Sequence, residues 1–184
     1  MGAELTVRLV AARDAAPIAH IYNHYVTDTI VTFEETPVEV ADIAARIDGI
    51  LSSSLPWLVA EQDGELVGYA YASRWKERRG YRLSTEVTVY ADPGHARRGI
   101  GSKLYSALLP ALQSAGVHAA MGGIALPNDA SIRLHEKFGF RKVAHFAEVG
   151  CKFGRWIDVG YWQLLFAATA PGRDTSRATP ALPR

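Results

Sequence analysis

The chain has 184 residues, 48% of them apolar, which is enough for one domain with a sizeable core. Its net charge of +1 gives no case for a nucleic-acid or acidic-polymer partner, and its single cysteine, Cys151, excludes an internal disulfide. No apolar run reaches membrane-spanning length and no opening segment resembles a signal peptide, so a cytoplasmic, reducing location is expected, with Cys151 a small buried hydrophobe.

Leu5, Val7 and Leu9 alternate with polar neighbours and predict a first strand over 5–10. Asp14 is placed to cap a helix with Pro17 in its first turn, and Ile18, Ile21, Tyr22 and Tyr25 share one face of it. His20 and His24 lie one turn apart, a metal-ligand spacing, but no third ligand is suggested nearby and no metal is expected. Residues 29–33 read as a short extended piece. Thr36-Pro37-Val38-Glu39 reads as a capping box with proline at the first helical position, opening a second helix with Val40, Ile43, Ile47 and Ile50 inward. Ser52-Ser53-Ser54 ends it.

Strands over 57–62 and 65–73 are joined by Asp63-Gly64, a strong two-residue hairpin signal. Of the nine residues from Arg74 to Arg82, five are Arg or Lys and one is acidic. Such a run is a solvated loop or an anion-recognition loop. Val87-Thr88-Val89-Tyr90 then reads as a strand, broken at Asp92-Pro93-Gly94. After His95-Ala96-Arg97-Arg98-Gly99-Ile100-Gly101-Ser102, the residues Leu104, Tyr105, Leu108, Leu109 and Leu112 form one helical stripe.

The junction between that strand and that helix is built for an anion. A helix start offers unpaired N–H groups and the positive end of the dipole. Gly99 and Gly101 leave room for a phosphate to reach the backbone, and Arg97 and Arg98 add charge. Spacing excludes two familiar nucleotide loops. The dinucleotide fingerprint needs glycine where Leu104 stands, and the Walker loop needs Gly-Lys-Ser/Thr where this chain has Gly101-Ser102-Lys103. A pyrophosphate cradle of a third kind remains.

Beyond it, 117–124 reads as a strand and Pro127-Asn128-Asp129-Ala130-Ser131 opens a helix stopped at Gly139. Two late strands over 140–153 and 156–166 turn at Gly154-Arg155. From 167 onward the tail is rich in Ala, Pro, Thr and Arg and is expected to be disordered, leaving 1–166 as the domain. The order is β-α-α-β-β-β-α-β-α-β-β, an α/β (α+β) mixed sheet flanked by helices.

Strand, Arg-Arg-Gly-Ile-Gly-Ser and amphipathic helix together resemble the acetyl-CoA loop of the GNAT superfamily of N-acetyltransferases. The superfamily pattern begins with Gln or Arg, where this chain has Ala96. Asn128-x-x-Ser131-x-x-Leu134-His135 resembles the second signature, with His135 where a tyrosine usually stands. Leu83-Ser84-Thr85-Glu86 and the late Lys152-Phe153-Gly154-Arg155-Trp156 resemble the phosphinothricin and methionine sulfoximine acetyltransferases. The likeness runs from about Val7 to Phe166.

That resemblance implies a GNAT-like, mostly antiparallel sheet and acetyl-CoA as co-substrate, transferred directly to the amino group of a small amino-acid-like acceptor. Val87, Val89, Tyr90, Arg97, Arg98, Gly99, Ile100, Gly101, Ser102 and Asn128 would hold the cofactor. An attacking amine must lose a proton, and Glu86 is placed to take it, while His135 would protonate the leaving thiolate. The reverse assignment, His135 as base and Glu86 orienting the ammonium, stays open. Arg78 and Arg82, with Lys76, would meet the acceptor's anionic groups. Phe33 and Trp75 would wall its side chain, beside Val87 and Thr88. A homodimer is implied, with the hairpin from Lys152 to Trp156 approaching the neighbouring subunit's site. Two rivals stand: a protein N-terminal or lysine acetyltransferase, and a non-catalytic acetyl-CoA sensor.

Overall fold

The computed structural model describes residues 4–95 and 98–167. Arg97 and the tail from 168 onward therefore lie outside the described residues. The strands are β1 (Thr6–Leu9), β2 (Trp57–Gln62), β3 (Glu65–Arg74), β4 (Ser84–Ala91), β5 (Ala119–Ala125), β6 (Arg141–Lys152) and β7 (Arg155–Leu165). The helices are α1 (Ala15–Asp28), α2 (Val40–Ser52), α3 (Ile100–Ser114) and α4 (Asp129–Lys137). One sheet runs β1-β2-β3-β4-β5-β7-β6, with every pair antiparallel except β4 and β5. The expected element order and the mixed, mostly antiparallel sheet are both present.

Period-two alternation divides the core into two layers. On β2, Trp57 and Val59 face α1 and α2, where Ile18, Ile21, Tyr22, Val26, Ile43 and Ile47 are buried. Leu58 and Ala60 face the opposite side, against the α3 stripe of Leu104, Tyr105, Leu108, Leu109 and Leu112. The Asp63-Gly64 turn works as its sequence predicts, both residues having φ above zero, at 55° and 81°.

Several local expectations give way to longer-range contacts. Residues 29–33 form a loop and no strand. Helix α2 starts at Val40, later than the Thr36–Glu39 box implied, with the Asp42 carboxylate accepting from the Glu39 N–H at 3.3 Å. The late hairpin turns at Phe153-Gly154, where both φ values are positive, one residue earlier than expected. Cys151 is exposed on the edge strand β6 rather than buried.

Asp14 precedes α1 but caps none of its N–H groups. Its carboxylate accepts both Arg8 guanidinium donors, at 2.7 and 2.8 Å, and the Ala11 N–H at 2.7 Å. Those bonds, led by Arg8, hold its pKa below the ordinary aspartate value. Its stabilisation is therefore full above the unfolded carboxylate pKa and is lost as pH falls through the lowered folded value. Asp14→Ala is expected to cost about 1.5–3 kcal/mol at neutral pH. Denaturant midpoints at pH 7 and at low pH check this, the gap closing in acid.

Candidate active site

The β4–β5 ladder is short. It pairs Ser84 with Ala119, Thr85 with Ala120 and Glu86 with Met121, and there it stops. The bonds from Asp92 N–H to Val67 C=O and from Trp75 N–H to Ser84 C=O fix the phase of β4 against β3. In that phase Val87, Val89 and Ala91 turn their main-chain groups away from β3. Beyond Glu86 those groups face the gap that β5 has left, although the Ala91 carbonyl is taken by Tyr25 Oη at 2.6 Å.

Three adjoining cavities follow this gap. A groove of about 470 Å³ lies between β4 and the starts of α3 and α4, lined by Val89, Tyr90, Gly99, Gly101, Ser102 and Asn128 among others. A central cavity of about 270 Å³ shares Val89, Tyr90 and Asn128 with it and adds Glu86, Val87 and Thr88. A third, of about 710 Å³, shares Phe33, Val159 and Tyr161 with the centre and adds Trp75, Lys76 and Tyr81. The path runs from a helix N-terminus, past one carboxylate, into an apolar pocket.

The groove suits a phosphate-bearing ligand. Gly99 caps α3 at φ 77°, and a Cβ there would meet nothing within 4 Å, so the helix start is open. Gly101 has a different reason to be glycine: a Cβ there would lie 2.8 Å from Leu134 Cδ2, so it seats α4 against α3. Lys137 donates to Ser102 Oγ at 3.0 Å, bringing a cation from the end of α4 to the start of α3. Lys137 and His95 line the groove and were not foreseen from the sequence. Arg98 is exposed. Asn128 spends its Oδ1 on the Ser131 N–H as the α4 cap, leaving its amide donors to offer a ligand.

Glu86 lines the central cavity. No hydrogen bond or ion pair engages its carboxylate among the described residues, and burial raises its pKa above the ordinary glutamate value, with Lys76 pulling the other way. Its neighbours come from the β5–β7 pairing of Gly123 with Tyr161. A Cβ on Gly123 would lie 3.1 Å from Glu86 Oε1 and 3.2 Å from the Tyr161 ring, so glycine there keeps the carboxylate accessible. Tyr161 in turn meets Trp75 and Phe146 edge-on. Neither Gly123 nor Tyr161 carries a local sequence signal.

Other expected site residues are placed differently. His135 is only 3% exposed, and both ring nitrogens are engaged: Nδ1 meets the Ser131 carbonyl at 2.8 Å and Nε2 meets Tyr105 Oη at 2.9 Å. A carbonyl can only accept, so Nδ1 carries the proton and Nε2 accepts from the tyrosine. Burial lowers its pKa. This is a neutral, hydrogen-bonded histidine that joins α3 to α4 and lines the central cavity beside Asn128 and Ser131. Arg78 and Arg82 are exposed and line none of the three cavities, although they stand on the loop that delivers Trp75, Lys76 and Tyr81. Trp156 is 68% exposed near the hairpin tip, and Lys152 is wholly buried.

Comparison with known proteins agrees with this geometry. The pattern described as an acetyltransferase (GNAT) domain matches residues 7–160. The chain is 40% identical over 176 residues to a phosphinothricin N-acetyltransferase of Streptomyces viridochromogenes, covering 94% of each chain. It is 37% identical over 160 residues to an L-methionine sulfoximine/L-methionine sulfone acetyltransferase of Salmonella typhimurium, covering 87% of this chain and 94% of that one. It superposes with a TM-score of 0.85 on a phosphinothricin acetyltransferase from Sinorhizobium meliloti in complex with acetyl-CoA, at 34% identity, covering 90% and 89% of the two chains.

Proposed function

The chain belongs to the GNAT family of acetyltransferases, and on that premise we propose that it moves an acetyl group from acetyl-CoA directly to the amino group of a small amino-acid-like acceptor. Phosphinothricin and the sulfoximine or sulfone of methionine are the acceptor type. The observation that carries this reading is Glu86, a half-buried and unpaired carboxylate between an open helix N-terminus and an apolar pocket.

The groove residues fit the cofactor. The N–H groups of α3 and Lys137 answer its phosphates, and Asn128 with the β4 main chain answers its amide-bearing arm. When bound, acetyl-CoA supplies a thioester carbonyl open to an amine. Val89 N–H, turned into the β4–β5 gap, is the donor we assign to polarising that carbonyl. Glu86 receives the ammonium proton of the acceptor, directly or through water, so that nitrogen attacks with a free electron pair. As the C–N bond forms and the C–S bond breaks, the electron pair would leave on sulfur; the proton held by Glu86 would pass to solvent, and the second proton that the nitrogen sheds on becoming an amide would go to the thiolate or to solvent. His135 takes no part beyond holding α4 to α3.

Phe33, Trp75, Tyr161 and Val159 wall the acceptor's side chain, and Lys76 is the cation of that pocket. Its ammonium lies 4.9 Å from the Trp75 ring centroid and is the group we assign to the acceptor's carboxylate. Lys76→Met is expected to raise KM for an amino-acid acceptor by roughly ten- to a hundredfold, the scale of one charge-assisted bond. Arg78→Ala should leave KM within a few-fold of wild type. Steady-state kinetics on both variants checks the assignment.

A homodimer belongs to the same reading. Phe146, Val149, Phe153 and Trp156 are exposed apolar side chains on the β6–β7 hairpin, an area that a second subunit would cover. The function as a whole is tested by thiol release from acetyl-CoA against amino acids, their sulfoximines and sulfones, polyamines and peptides. Turnover confined to the small amino acids and their analogues supports it; turnover only with peptides would replace it.

A further inference from the structure

Lys152 presents a problem in electrostatics. It is 0% exposed, and a lysine so placed must find partners for its ammonium. It donates to the Thr32 carbonyl at 2.7 Å and to the Tyr25 carbonyl at 3.3 Å. Both acceptors lie more than a hundred residues earlier, at the end of α1 and in the loop that follows. That loop carries Val31, Thr32 and Phe33, all three of which line the central cavity.

A second contact joins the same two segments. The Phe33 ring lies on the backbone of Gly150, which is on β6 two residues before Lys152; a Cβ at Gly150 would strike Phe33 Cε1 and Cζ. From the inner side, Tyr22 Oη shares a hydrogen bond with Thr32 Oγ1 at 2.8 Å. The loop is thus held from one side by a helix and from the other by an edge strand, and its residues reach all three cavities.

We propose that Lys152 is a positioning residue, which with Gly150 straps the 29–33 loop onto β6 and so sets the height of Phe33 over the acceptor pocket. Acceptor selectivity would then depend on a residue that does not touch the acceptor. Thr32, bonded at both its carbonyl and its hydroxyl, is the strap's anchor point. Gly150 allows the Phe33 ring to lie flat where any side chain would lift it. This rests on the acetyltransferase reading for its effect on turnover, but the strap itself does not.

Two readouts separate these. In Lys152→Met the apolar stem remains and the ammonium is lost, leaving the Thr32 carbonyl without its donor, whereas the Tyr25 carbonyl keeps the Thr29 hydroxyl. Amide hydrogen exchange across 29–35 is expected to rise by roughly ten- to a hundredfold in this variant. The ratio of kcat/KM between a methionine-sized acceptor and a smaller one is expected to shift by about tenfold. Gly150→Ala, which keeps the ammonium, should shift the same ratio by displacing Phe33. Unchanged exchange across 29–35 in Lys152→Met would overturn the strap. Faster exchange with an unaltered acceptor ratio in both variants would leave Lys152 a stability element only and overturn its positioning role. Failure of the wild-type enzyme to acetylate any amine would instead strike the functional reading, with the exchange arm still deciding the strap.

Discussion

Glu86→Gln is expected to lower kcat by about 10²- to 10⁴-fold, the span that general acid–base catalysis commonly contributes. The amide keeps the size of the carboxylate and cannot take a proton at any working pH. Glu86 is suited to the task because burial raises its pKa toward neutrality, while the nearby Lys76 limits the rise. A fully solvated glutamate would be a weaker base, and one paired to an arginine weaker still. The variant should bind acetyl-CoA as the wild type does, since the groove is built from α3, α4 and the far half of β4. Kinetics together with a cofactor titration separates the two effects. Loss of binding alongside loss of rate would mean that Glu86 supports the architecture rather than the proton transfer.

Ser102→Glu is expected to weaken acetyl-CoA binding by about a hundredfold or more. Ser102 lies in the first turn of α3, lines the groove and accepts from Lys137. A carboxylate there would face the cofactor's phosphates and capture the lysine that otherwise serves them. Juxtaposing like charges in such a site costs several kcal/mol. The same substitution favours the helix itself, because an acidic residue in the first turn complements the dipole. The fold should therefore hold, or gain slightly, while affinity falls. Isothermal titration beside a thermal melt reads both. A variant that binds normally would move the phosphates away from this helix end.

What the sequence made legible was what local chemistry decides. The Asp63-Gly64 hairpin, the α3 stripe, the strand before it and the helix opened by Pro127–Ser131 all follow from residue type and spacing, and all are present. Glu86 stands out because it enters a β-branched strand just before an anion-binding turn. The misplaced residues share another cause, contact across long separation. Nothing near Lys152 announces that Thr32 will come to meet it, and an isolated lysine reads as solvent-exposed or ligand-facing. Tyr161 reaches Glu86 only through the register of β7 on β5. His135 is held by the Ser131 carbonyl four residues earlier on its own helix and by Tyr105 on α3, the second a contact across thirty residues. For Arg78 and Arg82, both exposed, a charge run shows abundance of cations but not which of them lines a cavity.

The central claim is that one half-buried carboxylate, Glu86, accepts the proton of an amine that attacks acetyl-CoA directly. Its most direct test is the pH dependence of kcat/KM for the wild type and Glu86→Gln with the best amino-acid acceptor. The wild-type profile should show an acid limb above the ordinary glutamate range, because the base works only when deprotonated and burial raises its pKa. In Glu86→Gln that limb should vanish, leaving a slow rate that rises with pH only as the amine itself loses its proton. An identical acid limb and an undiminished rate in Glu86→Gln would contradict the account.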